Sequence, residues 1–287
     1  MMLDKNIKIL IVGLGLIGGS YCLSLKEKGY NVRAIDIDRD TVGYARKLKL
    51  VDYVTDEVEP ELIQSSDLII FALYPNIFLK WIEENGHLIK EGTIITDVTG
   101  VKGVITDKIQ GMLKNNVEFI PAHPMAGREH LGIENSDPSI FVGANYIIVP
   151  TDKNTDKGIE VCRNLAETIG FSNISVLTTE EHDKMIAFLS QLTHCIAVSL
   201  MCATDNENIS KFTGDSFRDL TRIADINDEM WSGLFLDNKD ALLMEMDKYR
   251  NCFDELYNYL KNNDRDGIRD MMKLSSKRRK LFNKREA

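Results

Sequence analysis

Apolar, β-branched residues cluster first at positions 7–12, in a run whose length and composition suit a strand buried on both faces. The run breaks into Gly13-Leu14-Gly15-Leu16-Ile17-Gly18, and an amphipathic helical pattern follows over about 16–28. The same alternation continues to about residue 175. Strand-like runs recur at 31–35, 51–54, 67–73, 93–97, 117–121 and 145–150, with helical patterns near 39–48, 76–89 and 101–114. Such alternation predicts a doubly wound, mostly parallel sheet with helices on both faces. Beyond residue 175 only 3.6-residue periodicity remains, at roughly 180–208, 214–225, 228–262 and 264–283. The chain therefore reads as an α/β domain over 1–176 followed by an all-α domain over 177–287.

The glycine run carries the first chemical meaning. Gly13 permits a tight turn, Gly15 lets backbone approach a pyrophosphate, and Gly18 lets the helix pack closely on the strand. Together with Leu14, Leu16 and Ile17 these residues form the expected cofactor loop, where free N–H groups and the helix dipole favour an anion. Asp36 stands 18 residues beyond Gly18, at the end of the second strand, and suits a ribose 2′-hydroxyl. The α/β half is thus read as a Rossmann domain, and Asp36 favours NAD over NADP, with Arg39 nearby as the opposing feature. Leu73-Tyr74-Pro75 follows the fourth strand and reads either as a flank of the cofactor or as a proline turn.

Ligands of such sheets sit beyond the carboxyl ends of the strands, so residues at those ends are candidates for function. Asp97 reads on its own as a turn former or helix cap, and Lys102 as a solvated helix residue. His123 stands between Pro121 and Pro124 on a stiff loop, and an ordinary pKa near 6.5 suits it to proton transfer. His182, Ser190 and His194 interrupt an otherwise apolar helix along one drifting stripe and predict a polar pocket. Arg218 and Arg222 are one helical turn apart and suit either a carboxylate ligand or surface ion pairs. The basic tail over 273–285 reads as a solvated helix end.

Bulk properties narrow the partners. The 287 residues carry a net charge of −9, which argues against nucleic acid or an anionic membrane surface. Five scattered cysteines suggest reduced thiols in a cytoplasm, and no cysteine or histidine spacing suggests a metal. The N-terminus runs directly into the first strand, so no signal peptide is expected. No apolar run is expected to approach a membrane span.

Several stretches together resemble one family: GLGLIGGS, DVTGVKG, FIPAHPMAGREHLGI, SIFVGANYIIVP, EEHDKMIAFLSQLTHCIAVSL, FRDLTRIA and MWSGLFLDNK. They are similar, in order, to prephenate dehydrogenase and its relative arogenate dehydrogenase of tyrosine biosynthesis. The resemblance implies oxidative decarboxylation of prephenate to 4-hydroxyphenylpyruvate with NAD+ as acceptor, or of arogenate to tyrosine. It implies that His123 takes the proton of the substrate ring hydroxyl and that Arg222 binds a substrate carboxylate. His182, Ser190, His194 and Gly127 are implied to line the substrate cleft, and the helical half to build a homodimer. The family often has serine where this chain has Gly100, which leaves Thr99 as the expected catalytic substitute. It also often has glycines where Asp215 and Ser216 stand. No chorismate mutase or ACT region is expected, so tyrosine feedback would act at the active site. Two remoter readings are a different NAD-dependent hydroxyacid dehydrogenase, with Lys184 as base, and a non-catalytic NAD-sensing regulator.

Overall fold

The computed structural model describes residues 3–127 and 131–282. Arg128, Glu129 and His130 of the histidine-bearing loop lie outside the described residues, as does the end of the basic tail beyond residue 282. The chain forms two compact units, Met1–Asn238 and Lys239–Ala287.

The first unit is built on a six-stranded parallel sheet. Its strands are β1 (Ile9–Val12), β2 (Val32–Ile35), β3 (Tyr53–Thr55), β4 (Leu68–Phe71), β5 (Ile94–Asp97) and β6 (Glu118–Ile120), in the order β3-β2-β1-β4-β5-β6. The helices between them are α1 (Leu16–Glu27), α2 (Arg39–Lys47), α3 (Pro60–Gln64), α4 (Pro75–Asn85) and α5 (Thr106–Met112). Alternate residues of each strand face opposite layers. Ile9, Ile11, Val32 and Ala34 pack toward α1, whereas Leu10, Val12, Ile69, Phe71 and Ile95 pack toward α4 and α5. Both layers are buried, which explains why the strands read as continuous apolar runs. The winding direction reverses between β1 and β4, so the loops after these strands lie side by side at the carboxyl edge.

One expectation of a single sheet is corrected. The segment after β6 is not all loop, because Pro121 redirects the chain into β7 (Ala122–Met125). This strand pairs antiparallel with β8 (Asn145–Ile148), which pairs parallel with β9 (Asn173–Val176) across α6 (Asp156–Ile169). The strand expected at 145–150 therefore belongs to a second, three-stranded sheet. Pro124 fits within β7 because β7 is an edge strand and needs no donor on its open side. His123 consequently projects from an ordered strand, in register with Ile147.

Helices complete both units. A long helix runs as α7 (Thr179–Ile186), a π-helical turn (Ala187–Gln191) and α8 (Leu192–Cys202). Its start is set by a capping box in which Thr178 and Glu181 each accept from the other's backbone N–H. By length and composition, Thr179–Cys202 is apolar enough to cross a membrane, which amends the expectation that no stretch approaches that length. Next come α9 (Asp215–Thr221) and α10 (Asp228–Asp237). The continuous helix expected over 228–262 breaks at Asn238, whose buried side chain donates to the Asp183 carbonyl and to Gln191 Oε1. The second unit holds α11 (Lys239–Lys261) and α12 (Arg265–Arg279), joined by a turn in which Asn263 takes φ 54°. Lys277, Arg278 and Arg279 end α12 exposed, as a solvated basic helix end.

Candidate active site

The glycine loop is shaped for close backbone contact. Gly13 has φ 96°, and a Cβ there would meet the Ala72 carbonyl oxygen at 2.5 Å. A Cβ at Gly18 would lie 2.0 Å from the Gly13 carbonyl oxygen, so α1 seats against β1 only without one. Gly15, at the start of α1, faces open space. Asp36 is held beside this loop: one carboxylate oxygen accepts from Leu14 N at 2.6 Å and the other from Asp38 N at 2.8 Å. An open glycine, the N–H groups opening α1 and a fixed carboxylate fit a dinucleotide. Leu16 is buried and Ile17 half-buried behind the loop. Leu73 reaches toward Gly13, while Pro75 opens α4 in its first turn, so both readings of that tripeptide have a structural basis. Arg39 is turned to Asp56 at 2.8 Å.

Behind the carboxyl end of β5 lies a charged cluster with no exposure at all. Lys102 is fully buried, and its ammonium contacts Asp97 Oδ2 at 2.6 Å. It also donates to the Thr99 hydroxyl and to the Ala122 carbonyl. The other Asp97 oxygen accepts from Ala122 N at 3.0 Å. Burial pushes the Lys102 ammonium toward its neutral form, and the Asp97 charge opposes this. Lys102 is thus not the solvated residue its helical position suggested. Asp97 is the turn former its sequence position suggested, its Oδ2 accepting from Thr99 N at 3.0 Å, and its other oxygen also holds the backbone N–H of Ala122, the residue before His123. The Thr99 hydroxyl also donates into this cluster, to Asp97. The expectation that Thr99 assists His123 is not met by this geometry, because its one proton is already committed.

His123 and His182 meet directly. His123 Nδ1 lies 2.9 Å from His182 Nε2, and His182 Nδ1 lies 2.7 Å from Asp183 Oδ1. Asp183 also accepts from Lys102 N at 3.0 Å and Gly103 N at 2.7 Å. His182 is fully buried with both nitrogens engaged, so it backs His123 and does not line the cleft as expected. Burial, then the Lys102 charge and His182, hold His123 well below the usual histidine pKa. Burial also lowers His182, although its bond to Asp183 acts the other way. At Gly100 a Cβ would lie 4.0 Å from His123 Cε1 and 3.6 Å from Leu234 Cδ2, ordinary contacts that leave room for a side chain.

The π-helical turn sets the phase of the remaining polar residues. In an unbroken α-helix His194, twelve residues beyond His182, would lie about 120° round the axis at about 100° per residue. One turn of i→i+5 bonds takes in one extra residue and cuts that offset to about 20°. Ser190 is half-buried in the bulge, and its carbonyl accepts from His194 Nδ1 at 2.8 Å. His194 stacks on Trp231 of α10 with ring centroids 3.7 Å apart, and burial lowers its pKa. Gln191 ties the bulge to α10 by donating to the Leu234 carbonyl.

The two arginines part company. Arg218 is spent on Asp215 at 2.7 Å and on the Thr213 carbonyl, so the acid that departs from the family pattern is paired at the surface. Arg222 is exposed on a 3-10 turn (Arg222–Ala224) packed against α8, the helix of His194. Gly127 is exposed just beyond β7. Among the described residues no three His, Cys, Asp or Glu side chains are grouped to hold a metal. Sequence reasoning missed Asp183, Trp231, Gln191 and Asn238. The polar residue beside a buried histidine was the available signal for the first.

Known proteins resemble this chain in sequence and in fold. A family model described as prephenate dehydrogenase, nucleotide-binding domain, matches residues 21–174, and one described as prephenate dehydrogenase, dimerization domain, matches 178–274. A prephenate dehydrogenase of Bacillus subtilis (strain 168) is 31% identical over 268 residues, covering 91% of this chain and 72% of the relative. The arogenate dehydrogenase structure of Synechocystis superimposes with a TM-score of 0.83 at 25% identity, covering 96% of this chain and all of that one. The structure of prephenate dehydrogenase from A. aeolicus with hydroxyphenyl propionate and NAD+ gives a TM-score of 0.88 at 24% identity, over 96% and 98% of the two chains.

The buried pair yields a stability prediction. Lys102→Met strands the Asp97 carboxylate and should cost about 3–5 kcal/mol in urea unfolding. Lys102→Met with Asp97→Asn should recover at least about 1 kcal/mol of that loss, and a double variant no more stable than the single would contradict the pairing.

Proposed function

The chain belongs to the prephenate dehydrogenase family, and we propose that it oxidatively decarboxylates prephenate to 4-hydroxyphenylpyruvate with NAD+ as acceptor. The observation that carries this reading is His123, backed by His182 and standing at the carboxyl edge of a sheet whose glycine loop and Asp36 fit a dinucleotide. Gly13, Gly15, Gly18 and the α1 N-terminus would take the pyrophosphate, and Asp36 the adenosine ribose. When bound, the cofactor supplies the hydride acceptor. Asp36 supports NAD+ over its phosphorylated form, since its oxygens already face the loop and would repel a 2′-phosphate.

Oxidation at the ring carbon that bears the hydroxyl develops positive charge beside that oxygen. His123 Nε2 accepts the hydroxyl proton as this charge grows, so the oxygen becomes a carbonyl. Loss of carbon dioxide then sends the C–C electron pair through the ring to that oxygen, and the resulting phenolate recovers its proton from His123 or solvent as the aromatic product. The lowered proton affinity of His123 keeps it neutral, and therefore a competent base, at neutral pH. Arg222 is the proposed carboxylate ligand, and Ser190, His194 and Gly127 complete the proposed substrate site. Trp231, stacked on His194, gives that site an aromatic wall. The all-α region from residue 177 is the proposed substrate and dimerisation domain. On α11 the exposed side chains Met246, Tyr249, Phe253, Tyr257 and Leu260 recur at helical spacing and support a self-associating face.

Assays at 340 nm test these assignments. With prephenate and NAD+, His123→Asn should lower kcat by about two to four orders of magnitude. Arg222→Gln should chiefly raise KM for prephenate. Arogenate preferred over prephenate in kcat/KM would replace the substrate assignment. Because burial and Lys102 depress the His123 pKa, kcat/KM should stay level from about pH 8 down to about 6.5 and fall only below that. An acid limb centred above pH 7 would contradict this. Light scattering should give about twice the 32.5 kDa chain mass, and a monomer at micromolar concentration would remove the dimer.

A further inference from the structure

Accepting the proton of a substrate hydroxyl requires His123 to present a bare ring nitrogen, and a neutral imidazole has only one. The nitrogen that carries the hydrogen is decided by the partner of the other. His123 Nδ1 faces His182 Nε2, so the choice passes to His182. His182 Nδ1 in turn faces Asp183, and the decision ends there.

Asp183 is fixed from the opposite side. Lys102 N donates to its Oδ1 and Gly103 N to its Oδ2, which lock the carboxylate onto the loop leading into α5. A carboxylate oxygen receiving a backbone N–H can only accept again from His182. We propose that Asp183 is a positioning residue that sets the tautomer of both histidines, leaving His123 Nε2 bare toward the substrate hydroxyl. The inference rests on His123 being the base. His182 Nδ1 carries hydrogen, so its Nε2 is an acceptor. His123 Nδ1 must then donate, and its Nε2 is left free. With the opposite tautomers His123 would point an N–H at the substrate and could accept nothing.

The charged groups facing the two rings agree with this arrangement. Lys102 and Asp97 lie on the β5 side, and Asp183 lies on α7. The net effect lowers proton uptake by both rings, so each carries a single hydrogen. The positive charge that His123 acquires on taking the hydroxyl proton is met through His182 by the Asp183 carboxylate, with no transfer to Asp183 required. One O–H bond breaks and one N–H bond forms.

Long-range 1H–15N spectra of 15N-histidine-labelled full-length enzyme read ring tautomers without reference to activity. Signals of His123 and His182 are assigned from the His123→Asn and His182→Leu variants. The expected wild-type result at pH 7.5 is hydrogen on Nδ1 of both rings. Asp183→Asn, nearly isosteric, should move hydrogen to Nε2 of His123. It should also lower kcat about 10²–10⁴-fold, with both KM values within about threefold. His182→Leu, which removes the acceptor for His123 Nδ1, should lower kcat by a similar factor. Hydrogen on His123 Nε2 in the wild type would overturn the proposal whatever the activities of the variants. So would unchanged tautomers and kcat in Asp183→Asn, or wild-type kcat in His182→Leu. An active His123→Asn enzyme would instead remove the base assignment, so the two failures are distinguishable.

Discussion

A lysine with no solvent exposure must find all its compensation inside the protein, and Lys102 is where this structure concentrates that demand. Its ammonium is met by Asp97, the Thr99 hydroxyl and the Ala122 carbonyl. Its backbone N–H goes to Asp183, and its carbonyl accepts from the Thr106 hydroxyl at the start of α5. One residue thereby links the main sheet, the second sheet and the long helix. Isolated buried ion pairs are poor stabilisers, because desolvation offsets their attraction. The value of this one lies in direction. Asp97 and Lys102 hold the backbone N–H and C=O of Ala122, so the strand carrying His123 leaves the sheet along one path.

The same pair acts on His123 electrically. Removal from water and a positive charge nearby both disfavour imidazolium, so the resting histidine is biased toward its neutral form. Asp183 supplies the counterweight from behind, through His182. The long helix is built to hold that contact. Its capping box fixes where α7 begins, and its π-helical turn rotates His194 back onto the side of His182. Gln191 and Asn238 then satisfy polar groups around the bulge and tie it to Leu234 and the Asp183 carbonyl. A helix interrupted in this way gives up regular hydrogen bonds, and those side chains offset the loss.

Much of this was legible in the amino-acid sequence because it rests on local rules. The glycine loop needs particular residues at particular φ angles, and Asp36 falls at a fixed distance from it. The parallel sheet follows from apolar runs alternating with helical periodicity. What escaped depends on tertiary context. Pro121 turning the chain into β7 has no periodic signal, so the second sheet was read as part of the first. Lys102 sits where a solvated helix residue would, and only its distant partners reveal its burial. The π-helical turn changes a phase that simple 3.6-residue counting assumes constant. That counting put His182 on one stripe with His194, and the resemblance implied a place in the cleft, whereas the geometry seats it behind His123. Thr99 was assigned by adjacency to Gly100, but a hydroxyl points wherever its acceptor lies, and here that acceptor is Asp97.

The central claim is that a neutral His123, pointed by its buried neighbours, meets the reacting hydroxyl. A crystal structure of the enzyme with NAD+ and a phenolic analogue of the product tests this most directly. The account predicts the phenol oxygen about 2.6–3.2 Å from His123 Nε2, with His123 Nδ1 still on His182. A phenol oxygen held by other groups, with the His123 ring turned away from it, would contradict the account.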